Sequence, residues 1–66
     1  MIVASKITKE FIKNQKSVEL FADKLEVTRQ TIYNVLNGDN VSSDMISKLL
    51  NETGFEFEKA FEVESE

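Results

Sequence analysis

The chain has 66 residues, the size of one small domain, and its 12 acidic and 8 basic side chains give it a net charge of −4. It has no cysteine, no histidine and only two glycines, which excludes disulfides, the usual zinc sites, a histidine- or cysteine-based active site and a glycine-rich phosphate loop. Residues 1–5 do not show the charged region and apolar stretch that predict a signal peptide, and no apolar run reaches the roughly 20 residues that cross a membrane. We therefore expect a cytoplasmic protein that is not an enzyme and needs no cofactor.

Apolar residues recur at helical spacing along the chain, and this pattern predicts five helices. Helix 1 is predicted over residues 5–14, with Ser5 as its N-cap. Helix 2 is predicted over residues 18–25, with Ser17 as its N-cap. The apolar stripe of helix 2 consists of Val18, Phe21, Ala22 and Leu25.

Helix 3 follows after only three residues and is predicted over residues 29–37, with Thr28 as its N-cap. Its buried edge is expected to consist of Ile32, Val35 and Leu36. Gly38 should end this helix in the left-handed conformation that glycine adopts at low cost.

Helix 4 is predicted over residues 43–53, because Ser42 is a good N-cap and Gly54 a good terminator. A short helix 5 is predicted over residues 57–61, where Phe57, Ala60 and Phe61 supply an apolar edge. The helices therefore predict an all-α fold.

The end of the chain is the least regular part of this pattern. Residues 55–58 alternate between phenylalanine and glutamate, which leaves a short strand there as the less favoured alternative. We predict a domain over residues 1–61 and an acidic C-terminal tail over residues 62–66, frayed from residue 63 onward.

The short connection between helices 2 and 3 is the first indication of function. A turn of about three residues between two short helices forces a sharp crossing, which is the geometry of a helix-turn-helix. Ala22 offers a small side chain where the two helices must approach each other. Leu25 and Val27 can then close a small core around the turn.

The stretch from Ser17 to Gly38 resembles the lambda-repressor-like Cro/repressor (XRE-type) helix-turn-helix family. The resemblance continues through Leu36-Asn37-Gly38, a short polar loop, a serine-capped fourth helix and the Gly54-Phe55 turn, and it covers about residues 17–61. It implies a five-helix lambda-repressor-like domain in which helices 2 and 3 form the helix-turn-helix. It also implies a sequence-specific regulator of transcription that binds a double-stranded DNA operator, most similar to Cro-like repressors of phage or mobile elements.

The resemblance makes helix 3 the recognition helix, with its N-terminal end in the major groove. Arg29 is suited to a bidentate pair with guanine, and Gln30 to one with adenine. Hydroxyl and amide side chains around them are suited to phosphate and base contacts. The candidate DNA-binding residues are Ser17, Thr28, Arg29, Gln30, Thr31, Tyr33, Asn34, Asn37 and Asn40.

Each of these assignments has a simpler alternative. The polar outer face of a helix is usually only solvated, and Tyr33 can instead pack on Asn37 and the following loop. Val18 and Glu26 depart from the family, which often has a phosphate-contacting glutamine and a glycine at these two places. The simplest interpretation of the lysines near the N-terminus is that they promote solubility; they are Lys6, Lys9, Lys13 and Lys16.

An apolar cluster after helix 4 suggests a homodimer. Proteins of this kind gain affinity by placing two recognition helices about 34 Å apart along the duplex. The residues expected at the dimer interface are Phe57, Ala60, Phe61 and Val63. The alternative is that Phe57 and Phe61 cap the core of a single monomer.

The charge distribution keeps two further functions open. Residues 1–48 carry seven basic against six acidic side chains, whereas residues 49–66 carry one lysine against six glutamates. An acidic end fits a protein-interaction module on a helix-turn-helix scaffold, such as an antirepressor or an antitoxin, with a protein partner instead of DNA. A second alternative is that the domain belongs to a larger regulator.

Overall fold

A computed structural model describes residues 1–64, and this part of the chain folds into five helices and one two-stranded sheet. The elements in chain order are β1 (Ile2–Ala4), α1 (Lys6–Lys13), α2 (Val18–Leu25), α3 (Arg29–Leu36), α4 (Ser43–Thr53), α5 (Phe57–Ala60) and β2 (Phe61–Val63). None of these helices is long and apolar enough to span a bilayer. The predicted lambda-repressor-like helical fold is confirmed, with the small sheet as an addition.

Three of the predicted N-caps are confirmed. The hydroxyl oxygens of Ser17, Thr28 and Ser42 each accept a hydrogen bond from the backbone N–H three residues further along, at 3.2–3.3 Å. These bonds satisfy one of the otherwise unpaired donors in the first turn of each helix. They fix where α2, α3 and α4 begin, which is why those starts could be predicted from the sequence alone.

The fourth predicted cap, Ser5, does occupy the N-cap position of α1, but it does not cap the helix through its side chain. Its side chain makes no capping bond to α1, and its hydroxyl instead donates to the backbone carbonyl of Lys59 at 2.6 Å. Its backbone N–H donates to the carbonyl of Ala60 at 2.9 Å. Ser5 therefore joins the start of α1 to the end of α5, a partner more than 50 residues away that no local rule identifies.

The sheet joins the two ends of the described chain. β1 and β2 pair antiparallel, with Ile2 opposite Val63 and Ala4 opposite Phe61. The backbone N–H of Glu64 also donates to the carbonyl of Met1 at 2.7 Å. The predicted fraying is therefore wrong for Val63, which belongs to β2, and for Glu64, which is held by backbone hydrogen bonds to Met1.

The other expectations about this end have mixed outcomes. The predicted fifth helix is one residue too long, because Phe61 is the first residue of β2 and not the last of α5. The alternative strand over residues 55–58 is wrong, since α5 begins at Phe57. The remainder of the predicted tail, Ser65 and Glu66, lies outside the described residues.

The core lies between the helices and the inner face of the sheet. The buried apolar residues that form it are Ala4, Ile12, Phe21, Ala22, Leu25, Ile32, Val35, Val41, Met45, Leu49, Ala60 and Phe61. Phe11 lies at one edge, with its ring centroid 6.2 Å from that of Phe21 and 5.9 Å from that of Phe55. Tilted and edge-on aromatic pairs of this kind contribute beyond the apolar area that they bury. They hold α1, α2 and the turn after α4 together.

The loop after α3 is attached to the outer edge of β1. The side-chain oxygen of Asn40 accepts from the backbone N–H of Ile2 at 3.0 Å, and the backbone N–H of Val41 donates to the carbonyl of Ile2 at 2.8 Å. Both bonds use backbone groups of β1 that point away from β2. The sheet thereby fixes the position of the loop at the C-terminal end of α3.

Candidate nucleic-acid interface

The turn between α2 and α3 consists of three residues, Glu26, Val27 and Thr28. Glu26 adopts the left-handed conformation, with φ 60° and ψ 43°, and it is the only non-glycine residue among the described ones with a positive φ. The backbone N–H of Val27 then donates to the carbonyl of Ala22 at 2.9 Å. Ala22 is buried at this approach. The predicted role of a small residue at the crossing agrees with this burial.

The inner face of α3 is fixed by the core. Ile32 has no exposed surface and Val35 is buried, while Leu36 is half-buried against the same cluster. Residues on the opposite side of a short helix must then face solvent. Of the polar candidates, Thr31 is half-buried and the others are exposed, namely Thr28, Arg29, Gln30, Tyr33, Asn34 and Asn37.

Two side-chain hydrogen bonds order this exposed row. The amide nitrogen of Gln30 donates to the side-chain oxygen of Asn34 at 2.9 Å, and the hydroxyls of Thr28 and Thr31 lie 2.9 Å apart. The carbonyl oxygen and the second amide hydrogen of Gln30 remain available. These are the acceptor and the donor that a bidentate pair with adenine needs.

Arg29 has a neighbour that the sequence analysis missed. One guanidinium nitrogen lies 3.8 Å from a carboxylate oxygen of Glu19 in the first turn of α2, and both side chains are about two-thirds exposed. A long, exposed ion pair contributes little to stability, so Arg29 lies near the start of α2 without being fixed there. The only sequence signal was that Glu19 lies two residues after the N-cap Ser17.

Ser17 and Asn40 lie outside α3, at the N-cap of α2 and in the loop that follows α3. The Ser17 oxygen accepts the capping bond from Leu20, so its hydroxyl hydrogen remains available as a donor. The Asn40 oxygen accepts from Ile2, which leaves the Asn40 amide hydrogens available. The site therefore comprises the outer row of α3, the start of α2 and the loop after α3.

The apolar cluster expected at a dimer interface is divided by the structure. Ala60 and Phe61 are buried within the monomer, where they complete the core beneath the sheet. Their predicted assignment to a dimer interface is therefore corrected. Phe57 is 38% exposed and Val63 is 68% exposed. The Phe57 ring lies 5.6 Å from that of Phe61, so Phe57 covers part of the core and still presents apolar surface.

Comparison with known proteins gives one match. A family model described as a helix-turn-helix, of the XRE type typical of lambda repressor and Cro, matches residues 7–59. The matched segment extends from the first turn of α1 into α5 and includes the turn between α2 and α3. No curated protein and no solved structure matches the chain significantly.

Proposed function

The chain belongs to the XRE-type, lambda-repressor/Cro-like family of DNA-binding helix-turn-helix regulators, and from that premise we propose that it is a sequence-specific transcriptional repressor of the Cro type. The observation that carries this proposal is the exposed polar row of α3, opposite a helix face on which Ile32 is completely buried. A recognition helix needs such a division, because one face must anchor it while the other reads the major groove.

Base recognition is assigned to the first two turns of α3. Arg29 would pair with guanine, and Gln30, oriented by Asn34, would pair with adenine. Each good bidentate pair contributes about 1–3 kcal/mol of discrimination against the wrong base. Thr31 and Tyr33 add hydroxyl groups and apolar surface for phosphate or thymine-methyl contacts.

Phosphate contacts are assigned to the two sides of the recognition helix. On one side, Ser17 and the first backbone N–H groups of α2 form a donor cluster that fits a phosphate. On the other side, Asn37 and Asn40 offer amide donors from the end of α3 and the loop that follows. Such contacts set the register of the protein on the duplex and carry no sequence information themselves.

We include a homodimer in the proposed function. One recognition helix reads few base pairs, and two helices about 34 Å apart match successive turns of the major groove. Phe57 and Val63 are the exposed apolar residues near the end of the chain that support such a contact. The dimer would act by occupying an operator and excluding RNA polymerase, as repressors of phage or mobile elements do.

The test is fluorescence anisotropy with the DNA that flanks the gene of this protein and with a scrambled duplex of the same length. We expect tight binding to the flanking DNA that weakens steeply with salt, because phosphate contacts release counterions. Arg29→Ala and Gln30→Ala should each reduce the preference for the flanking DNA. Asn51→Ala, an exposed asparagine on α4, is the matched control and should change nothing. No binding at low salt would contradict the proposal.

A second candidate function is a protein-interaction module, favoured by the acidic surface near the end of the chain. Glu56, Glu58, Glu62 and Glu64 are all exposed. A protein partner with an apolar interface would bind with little dependence on salt, whereas DNA binding shows a slope near −0.9 for each phosphate contact. The same salt titration therefore separates the two functions.

A further inference from the structure

Three lysines form one face of α1 that the proposed function does not use. Lys6, Lys9 and Lys13 are spaced three and four residues apart, so they lie on the same side of the helix. All three line a single open cleft beside the loop that follows α3. We call these three residues the lysine face.

The lysine face is continuous with the candidate DNA interface. The ammonium nitrogen of Lys9 lies 4.0 Å from the position that a Cβ on Gly38 would occupy. Gly38 follows α3 directly, between Asn37 and the loop that holds Asn40. Lys9 is half-buried, whereas Lys6 and Lys13 are exposed, so its stem packs on the protein while its charge reaches the end of α3.

Within residues 1–64, no close ion pair neutralises the charges of the lysine face. The ion pairs within 4.0 Å among residues 1–64 involve Lys24, Arg29 and Lys48, and none of the three lysines of the face. Glu10, Glu62 and Glu64 line other parts of the same cleft, at larger separations. The ammonium groups therefore remain available to an anion. The three carboxylates reduce, at the same time, the overall attraction of the cleft for anions.

The dimensions of α3 bring this face to the DNA backbone. Its eight residues rise about 12 Å at about 1.5 Å each, and the major groove is about 12 Å wide. If α3 crosses the groove with its N-terminal end on the bases, its C-terminal end reaches the rim of the groove, where phosphates lie. Lys9 is next to that end.

We propose that the lysine face binds the phosphate backbone of the duplex at the C-terminal side of α3, independently of base sequence. This inference rests on the proposed function, because it assumes that α3 lies in the major groove. It extends the interface from the helix-turn-helix onto α1, and it gives the N-terminal lysines a role other than solubility. The phosphates bound there would lie outside the base pairs that Arg29 and Gln30 read.

The test compares the salt dependence of binding among charge variants. Anisotropy titrations are made at several salt concentrations with the gene-flanking duplex and with a scrambled duplex. The proteins compared are the wild type, Lys9→Gln, and a triple variant with glutamine at all three positions of the lysine face. Lys48→Gln is the matched control, because its ammonium pairs with Asp44 at 3.5 Å and does not line the cleft. Lys9→Arg keeps the charge, and circular dichroism checks that each variant folds.

Each lost phosphate contact should reduce the slope of log K against log salt by about 0.9. We expect this reduction for Lys9→Gln and a reduction of about 2–3 for the triple variant, with both duplexes weakened to the same extent. Lys9→Arg and Lys48→Gln should retain the wild-type slope. Sequence-dependent binding with an unchanged slope in the triple variant would overturn this inference alone. Absence of wild-type binding to either duplex at low salt would overturn the proposed function as well.

Discussion

The hydroxyl of Thr8 donates a hydrogen bond of 2.7 Å to the backbone carbonyl of Ala60. Thr8 is completely buried in α1, and Ala60 is the last residue of α5. The same carbonyl accepts the backbone N–H of Ser5, and the Ser5 hydroxyl donates to the carbonyl of Lys59. The last carbonyl groups of a helix have no hydrogen-bond partner within that helix. In α5 they are bonded by Ser5 and Thr8, at the start of α1. These bonds position β2 against β1.

Replacing Thr8 by valine should destabilise the protein. The substitution keeps the shape of the side chain and removes the donor to Ala60, while the Ser5 bond to that carbonyl remains. A typical loss is about 1 kcal/mol, which lowers Tm by about 4–8 °C in a domain of this size. Thermal unfolding followed by circular dichroism measures it, and a Tm equal to that of the wild type would show that this bond contributes nothing.

Replacing Glu26 by glycine should stabilise the protein. A left-handed conformation costs a residue with a side chain roughly 1–2 kcal/mol, and glycine avoids this cost but loses about 0.5–1 kcal/mol through its freedom in the unfolded state. We therefore expect a net gain of about 0.5–1 kcal/mol in the free energy of unfolding. Glu26→Ala keeps the unfavourable conformation and should give no gain. Equal stabilisation by both variants would show that charge, and not backbone conformation, is responsible.

Replacing Asn34 by alanine should weaken discrimination without changing the phosphate contacts. Gln30 would lose the partner that orients its amide, and ordering it on binding would then cost about 0.5–1.5 kcal/mol. The preference for the gene-flanking duplex should fall by this amount, and the salt slope should stay at the wild-type value. Competition titrations with single base-pair changes measure the preference, and the same titrations at several salt concentrations measure the slope. Equal weakening of the gene-flanking and the scrambled duplex would instead place Asn34 on a phosphate.

Replacing Glu19 by glutamine should tighten DNA binding and slightly lower stability. The pair with Arg29 is long and exposed and contributes little, but Glu19 also lies in the first turn of α2, where a negative charge stabilises the helix, so the free energy of unfolding should fall by about 0.3–1 kcal/mol. Removing a negative charge beside the phosphates should raise affinity by about twofold to fivefold at low salt, and less at high salt. Asp23→Asn makes the same change of charge on α2 without touching Arg29 and should have a smaller effect.

Replacing both Phe57 and Val63 by serine should weaken the proposed dimer. These side chains supply exposed apolar surface near the end of the chain, and their removal should shift sedimentation equilibrium toward the monomer. Leu20→Ser removes an equally exposed apolar residue on α2 and should leave the equilibrium unchanged. A wild-type monomer at high micromolar concentration, with no dimer on DNA, would exclude the dimer itself.

Much of the helix-turn-helix was predictable because it depends on residues close in sequence. The caps Ser17 and Thr28 bond to backbone groups three residues away, and these bonds fix the helix starts. The burial of Ile32 and Val35 follows from helical periodicity. The outward row that contains Arg29 and Gln30 then follows by elimination.

The contacts between the two ends of the chain were decided only by the tertiary structure. β1 and β2 are three residues each, too short to show an alternating pattern, and they form strands because each supplies the hydrogen-bond partners of the other. The same juxtaposition directs the hydroxyl of Ser5, which stays at its predicted N-cap position, to the end of α5, and it buries Phe61. Local propensity therefore determined which helices form and which face of α3 is polar, while packing between residues about 60 positions apart determined how the ends close and which charges lie beside α3.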